Sequence, residues 1–153
     1  MSTKGFVWLW ALTPPIPRAG PESQIAGLTP FRRFGSVMDQ PFKSIIGQQL
    51  TAVVFVMYYV QLQFGGPRPV LTAITLPTVK TDQGEFRPEV PGYRDRLCER
   101  IAGTVRQASV SEGEEVRIDL DDGTILSISL KPEDYRTAEA AIFDNGPDDY
   151  WVW

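Results

Sequence analysis

The sequence predicts an α+β protein in which two tandem units, each a helix followed by a three-stranded antiparallel β-meander, pack into one domain. Three observations lead there. Apolar and polar residues alternate strictly in Val60-Gln61-Leu62-Gln63-Phe64 and again in Val116-Arg117-Ile118-Asp119-Leu120, the period of a half-buried strand. Upstream of each run, apolar residues recur at helical spacing: Phe42, Ile45 and Ile46 in one case, Tyr93, Leu97 and Ile101 in the other. The order helix, glycine, three strands, proline then occurs twice.

Residues 1–37 stand apart as a Pro/Gly-rich arm. Pro14, Pro15, Pro17, Pro21 and Pro30, with Gly20, Gly27 and Gly35 between them, exclude regular helix and favour extended chain or loop. Phe6–Leu12 could add as an edge strand, and Met38 is a possible alternative start. The apolar Gly5–Leu12 follows Lys4 as in a signal peptide, but the prolines follow at once and no cleavage site is convincing. It also falls short of the roughly 20 residues that span a bilayer.

The domain proper is expected over 38–153. In the first repeat, about 39–77, Asp39 suits an N-cap, Pro41 the first helical turn and Gly47 the residue after the helix. Leu50–Met57, Val60–Phe64 and Val70–Leu76 read as strands, the last two separated by Gly65-Gly66-Pro67. Residues 78–92 read as a polar linker. The second repeat, about 93–132, has Gly103 in the role of Gly47. Its strands are Val105–Val110, the alternating run around Ile118, and Thr124–Leu130 after the tight-turn pair Asp122-Gly123. A shift of 56 superposes Gly47 on Gly103, Val54 on Val110 and Val60 on Val116; for the third strand the shift becomes 54. The tail, 133–153, is acidic and aromatic, with a short helix possible at 132–141.

Composition narrows the chemistry. The chain has no histidine, which removes Ser-His-Asp and Cys-His nucleophiles, imidazole acid–base catalysis and the commonest zinc sites. Cys98 is the single cysteine, so no internal disulfide can form and a reducing, cytoplasmic setting is expected. A net charge of −4 repels phosphate backbones and anionic lipid, so neither nucleic acid nor membrane is expected as a partner. The short basic-aromatic stretch around Arg32-Arg33 does not outweigh it.

Two groups of side chains invite a functional reading. Where the second repeat has the polar turn Ser111–Glu115, the first has Phe55-Val56-Met57-Tyr58-Tyr59. Tyrosine suits interfaces, offering large area at little entropic cost, so Phe55, Met57, Tyr58 and Tyr59 are candidates for contact with a protein partner or a second copy. The competing reading, that the arm or tail covers this turn and makes it core, has general precedent on its side. Trp151 and Trp153, like Trp8 and Trp10, lie two apart and share one strand face; they are interaction candidates too, could line a groove, or could simply pack on the sheet.

Other groups point nowhere in particular. Asp119, Asp121 and Asp122 resemble part of a calcium loop but lack its third ligand and closing Glu, so no metal is expected, and no cofactor. Cys98 is expected to be a buried, inert thiol.

Ile46-Gly47-Gln48-Gln49-Leu50, Val60–Phe64 with Gly65-Gly66, and Asp121-Asp122-Gly123-Thr124 give the middle two-thirds of the chain a look that resembles a family of small bacterial proteins with a domain of unknown function. That resemblance implies no activity. In size and charge the chain is also similar to bacterial immunity proteins, an analogy of class. The expectation is therefore a non-enzymatic cytoplasmic interaction module, a homo-oligomer or an immunity- or inhibitor-like protein. The alternatives are a small-molecule-binding protein with an aromatic pocket and, after it, a carboxylate-dependent enzyme.

Overall fold

The computed structural model describes residues 40–153, so the arm with Trp8 and Trp10, and the edge strand expected at Phe6–Leu12, lie outside the described residues. Ten strands form two antiparallel sheets. They are β1 (Leu50–Phe55), β2 (Val60–Phe64), β3 (Val70–Ala73), β4 (Thr78–Thr81), β5 (Gly84–Phe86), β6 (Val105–Ser111), β7 (Glu115–Leu120), β8 (Ile125–Ser129), β9 (Ala141–Asp144) and β10 (Tyr150–Val152). Sheet 1 runs β1-β2-β3-β9-β10 and sheet 2 runs β5-β4-β8-β7-β6.

The α+β expectation is corrected by this architecture. Strand accounts for 43% and helix for 11% of the described structure, so the fold is β-rich and does not carry a helix per unit. The first expected helix is a single 3-10 turn, Lys43–Ile45. Phe42 and Ile45, three apart, are both buried, and one turn already places them together. The second is α1, Tyr93–Cys98, which buries Tyr93 and Leu97 but ends before Ile101, leaving that residue 42% exposed. The helix possible at 132–141 is a 3-10 turn, Pro132–Asp134. Cys98 is exposed, not buried, because the inward side of so short a helix is filled by Tyr93 and Leu97.

Residues 78–92, read as a linker, hold the hairpin β4–β5, and that hairpin does not join the sheet of its own repeat. It pairs with β8, aligning Val79 with Leu126. Reciprocally, β9–β10, which follows the second meander, pairs with β3 of the first, aligning Leu71 with Phe143. Each meander is thus completed by the hairpin of the other. A three-stranded meander with one apolar face is marginal alone, and the exchange extends both to five strands.

The two meanders share one register. Leu50 faces Phe64 and Val53 faces Leu62 in sheet 1; Val105 faces Leu120 and Ala108 faces Ile118 in sheet 2, with an irregularity after the first pair in both. The correspondence is therefore a shift of 55 for the first and third strands and 56 for the second, not the 56 and 54 read from the sequence. Inward rows match accordingly: Val53, Leu62, Leu71, Phe143 and Trp151 in sheet 1 correspond to Ala108, Ile118, Leu126, Val79 and Phe86 in sheet 2. These faces contribute to one core.

The sheets meet where the segments leading into β1 and β6 cross. Gln49 forms an antiparallel bridge with Thr104. Gly47 N–H donates to Val105 O at 2.8 Å and Ala102 N–H to Leu50 O at 2.8 Å; Leu50 N–H donates to Gly103 O at 2.9 Å and Val105 N–H to Gln48 O at 2.8 Å. Each bond maps onto another under the shift of 55, the signature of an approximate local two-fold axis. Gly47, with φ of 81°, corresponds to Ala102, with φ of 75°.

Candidate functional site

Val56 and Tyr59 exchange backbone hydrogen bonds, Val56 N–H to Tyr59 O at 2.9 Å and Tyr59 N–H to Val56 O at 3.3 Å. This closes β1 onto β2 and leaves Met57 and Tyr58 as a two-residue loop. Central residues of such a loop project off the sheet end, and here they are 81% and 69% exposed. Turns usually place Gly, Asn, Asp or Ser at such positions. The equivalent turn between β6 and β7 is polar and has such a residue at its centre, with Glu112, Gly113 at φ of 71° and Glu114.

The six predicted interaction residues fall into two places. Phe55 points inward, packs beside the core and carries the Arg94 guanidinium 5.3 Å above its ring; Tyr59 is half-buried. Trp151 and Trp153 lie on β10 and just after it, at the edge of sheet 1 opposite β1. Both face the core side. Their rings stack at 6.3 Å, Trp153 stacks on Phe42 at 5.5 Å, and Phe42 meets Phe143 edge-on at 4.9 Å. Trp151 Nε1–H donates to Asp149 Oδ1 at 2.7 Å. The indoles thus close the open side of the core, and of the six only Met57 and Tyr58 are exposed.

Around that turn is a surface the sequence reading missed. The outward residues of sheet 1 form two rows, Ala52-Gln63-Val70-Asp144-Tyr150 and Val54-Gln61-Thr72-Ile142-Val152. Val54 is 37% exposed and Val56 39%. Gln61 Nε2 donates to Thr72 Oγ1 at 3.3 Å. The only ionisable groups in these rows are Asp144 and Tyr150; Asp144 lies 3.5 Å from the Arg68 guanidinium and accepts the Gly146 N–H at 2.9 Å. With the correct shift of 55, Val54 aligns with Ser109, and that alignment is the signal that could have revealed this face.

Sheet 2 presents the opposite character. Its outer face forms the floor of a polar cleft of 930 Å³, walled by the connections around Arg87 and Lys131–Arg136. Four of its six lining carboxylates are engaged locally, Glu114 with the Lys131 ammonium at 3.7 Å. Glu85 accepts from Arg87 Nε at 2.7 Å, Asp134 from the Ser129 hydroxyl at 2.6 Å, and Glu115 from the Ser127 hydroxyl. The Arg87 bond holds the Glu85 carboxyl below its usual range, the reverse of what a general acid needs.

The aspartates near β7 are likewise structural. Asp121 Oδ1 accepts from Thr104 N–H at 3.1 Å, and Asp122 accepts from Thr124 N–H at 2.8 Å and from Arg100 Nη1 at 2.6 Å. Among the described residues no three His, Cys, Asp or Glu side chains are grouped to hold a metal ion, and no helix is long and apolar enough to cross a membrane.

No protein-family model, curated protein or solved structure matches the chain.

Proposed function

We propose that this protein is a non-enzymatic interaction module that binds another polypeptide through the β1–β2 turn and the adjoining outer face of sheet 1. The observation that carries this reading is the exposure of Met57 and Tyr58, 81% and 69%, on a loop that any pair of small polar residues could close. Met57 and Tyr58 continue the exposed Val54 and Val56, a contiguous apolar patch of this kind marks an interaction site, and Tyr and Met are enriched at interfaces. The cleft on sheet 2 supports enzymatic chemistry less well, because Glu85, Glu115 and Asp134 are tied to Arg87 and to neighbouring hydroxyls. A cytoplasmic setting fits the exposed Cys98, the one thiol in the chain, which an oxidising compartment would leave open to intermolecular pairing.

The test is the double variant Met57→Ser/Tyr58→Ser in the full chain. Both side chains are exposed, so folding stability should change by no more than about 0.5 kcal/mol, while association measured by native mass spectrometry from cell extract should be lost. Undiminished association by a folded double variant would refute the reading.

A further inference from the structure

We infer that the partner of this face is a second copy of the chain, packed outer face to outer face through sheet 1 in an isologous dimer. The inference rests on the interaction-module reading and adds the identity of the partner.

The fold contains its own control. Sheets 1 and 2 share strand order and register, so each outward residue of one has an equivalent in the other. Val54 corresponds to Ser109, Gln61 to Arg117, Gln63 to Asp119, and, through the exchanged hairpins, Ile142 to Thr78 and Tyr150 to Glu85. The backbone imposes the same demands at both members of each pair. Sheet 2 meets them mostly with charged and hydroxyl side chains, as an antiparallel face in water does, Ile125 and Gln107 being the exceptions. Sheet 1 meets them mostly with valine, isoleucine, glutamine and tyrosine, and its one charge, Asp144, stands where sheet 2 has Lys80. The difference lies in what each face touches, not in how it is built.

Charge selects the partner. The chain carries a net charge of −4, so two copies repel across most of their surfaces. Across sheet 1 they do not, because the one carboxylate there, Asp144, is paired with Arg68. A strongly basic or acidic partner would find on these rows only Asp144, already paired with Arg68. The face therefore suits another uncharged sheet face, and the chain itself supplies one. Antiparallel sheets stack face to face about 10 Å apart with strands within about 30°, and a two-fold operation makes a single patch complementary to itself.

Area sets the strength. Five strands about 4.8 Å apart, three to six residues long at about 3.3 Å each, give a footprint of roughly 20 Å by 15 Å. With Val56, Met57 and Tyr58 at its rim, such a dimer lies at the low end of specific interfaces, below about 1,200 Å² in total. It is therefore a weak, reversible dimer.

Sedimentation of the full chain from micromolar to near-millimolar concentration tests this. The mass should rise from 17.1 kDa towards twice that value. Val54→Lys buries an unpaired ammonium in the interface and should weaken the dimer at least about tenfold. Ser109→Lys, at the equivalent site of sheet 2, should leave it unchanged. A dimer insensitive to Val54→Lys, or equally sensitive to Ser109→Lys, would place the interface elsewhere and overturn the proposal. Should circular dichroism show that Val54→Lys has lost its fold, Tyr150→Lys at the far edge of the same face, where Tyr150 is 49% exposed, must weaken the dimer instead; failure to do so is equally fatal. A wild-type chain monomeric at near-millimolar concentration removes the second copy as partner. The interaction-module reading then stands only if a different protein binds in a manner lost in Met57→Ser/Tyr58→Ser, and it falls with the dimer if nothing binds.

Discussion

Gln49 and Thr104 face each other across the one antiparallel bridge that joins the lead-in segments of β1 and β6, and every backbone hydrogen bond beside them is repeated by its equivalent on the other side. The two meanders of this protein are thus tied at their roots as well as through their exchanged hairpins.

That symmetry places Ala102 in the left-handed conformation that Gly47 occupies in the first meander. An L-residue there is strained by roughly 1–2 kcal/mol, part of which glycine would return as unfolded-state entropy. Ala102→Gly should therefore raise stability by roughly 0.5–1 kcal/mol and Gly47→Ala lower it by about 1 kcal/mol. Urea midpoints of the two variants measure this; a destabilising Ala102→Gly would contradict it.

The β9–β10 hairpin is anchored to sheet 1 by Phe143, fully buried between Leu71 and the Phe42 ring. Phe143→Ala should cost about 3–5 kcal/mol. Because Trp153 stacks on Phe42, the tryptophan emission of the folded variant should also shift to the red, which fluorescence records in the same titration.

Tyr93 donates its hydroxyl to Pro77 O at 2.6 Å inside the core. Tyr93→Phe leaves that carbonyl unpaired and should cost about 1–2 kcal/mol. Burial pushes the phenol's pKa well above its ordinary 10.0, with Glu89 adding to the effect. The folded state therefore holds its proton where the unfolded chain releases it. That contribution to stability is complete below pH 10.0 and falls away as the pH climbs beyond it. Wild type should lose stability above that pH more steeply than Tyr93→Phe in urea titrations.

Asp122 titrates in the opposite sense. Burial works against its ionised form, but the Thr124 amide and hydroxyl and the Arg100 guanidinium outweigh burial and hold the carboxyl below 3.8. The ionised form is the one the fold favours, so its contribution is complete above that value and disappears as pH falls beneath it. Asp122→Asn should be less stable than wild type at neutral pH, and the gap should narrow on acidification below that value; a gap that stays constant would show that the charge is irrelevant.

Legibility of the fold in the sequence varied with the number of inward residues per element. β2 and β7 each bury three alternating residues, Val60, Leu62, Phe64 and Val116, Ile118, Leu120, and a strand needs little more to announce itself. β4 and β5 turn one side chain each, Val79 and Phe86, towards the core; a period cannot be read from a single point, and the hairpin looked like a linker. The same limit hid the end of α1, where Ile101 continues the helical spacing past the point at which the chain turns outward. The irregularity after Leu50 and Val105 changes the repeat shift by one without leaving a mark in composition. At the candidate site, Met57 and Tyr58 were legible as an anomalous turn. Phe55, Trp151 and Trp153 were not separable from them, since aromatic residues look alike in a sequence whether they cover a core or present to solvent.

The sequence by itself determined what depends on neighbours along the chain: the alternating meander strands, the turns at Gly65-Gly66 and Asp122-Gly123, the missing imidazole chemistry and the unusual apolar loop between β1 and β2. Only the tertiary structure decided which sheet each hairpin joins, that Trp153 stacks on Phe42, and that one outer face carries many charges while its equivalent carries one, Asp144. Strand partners are chosen by edges and inward side chains brought together from distant positions, and the closure of such non-local contacts leaves no local periodicity to read.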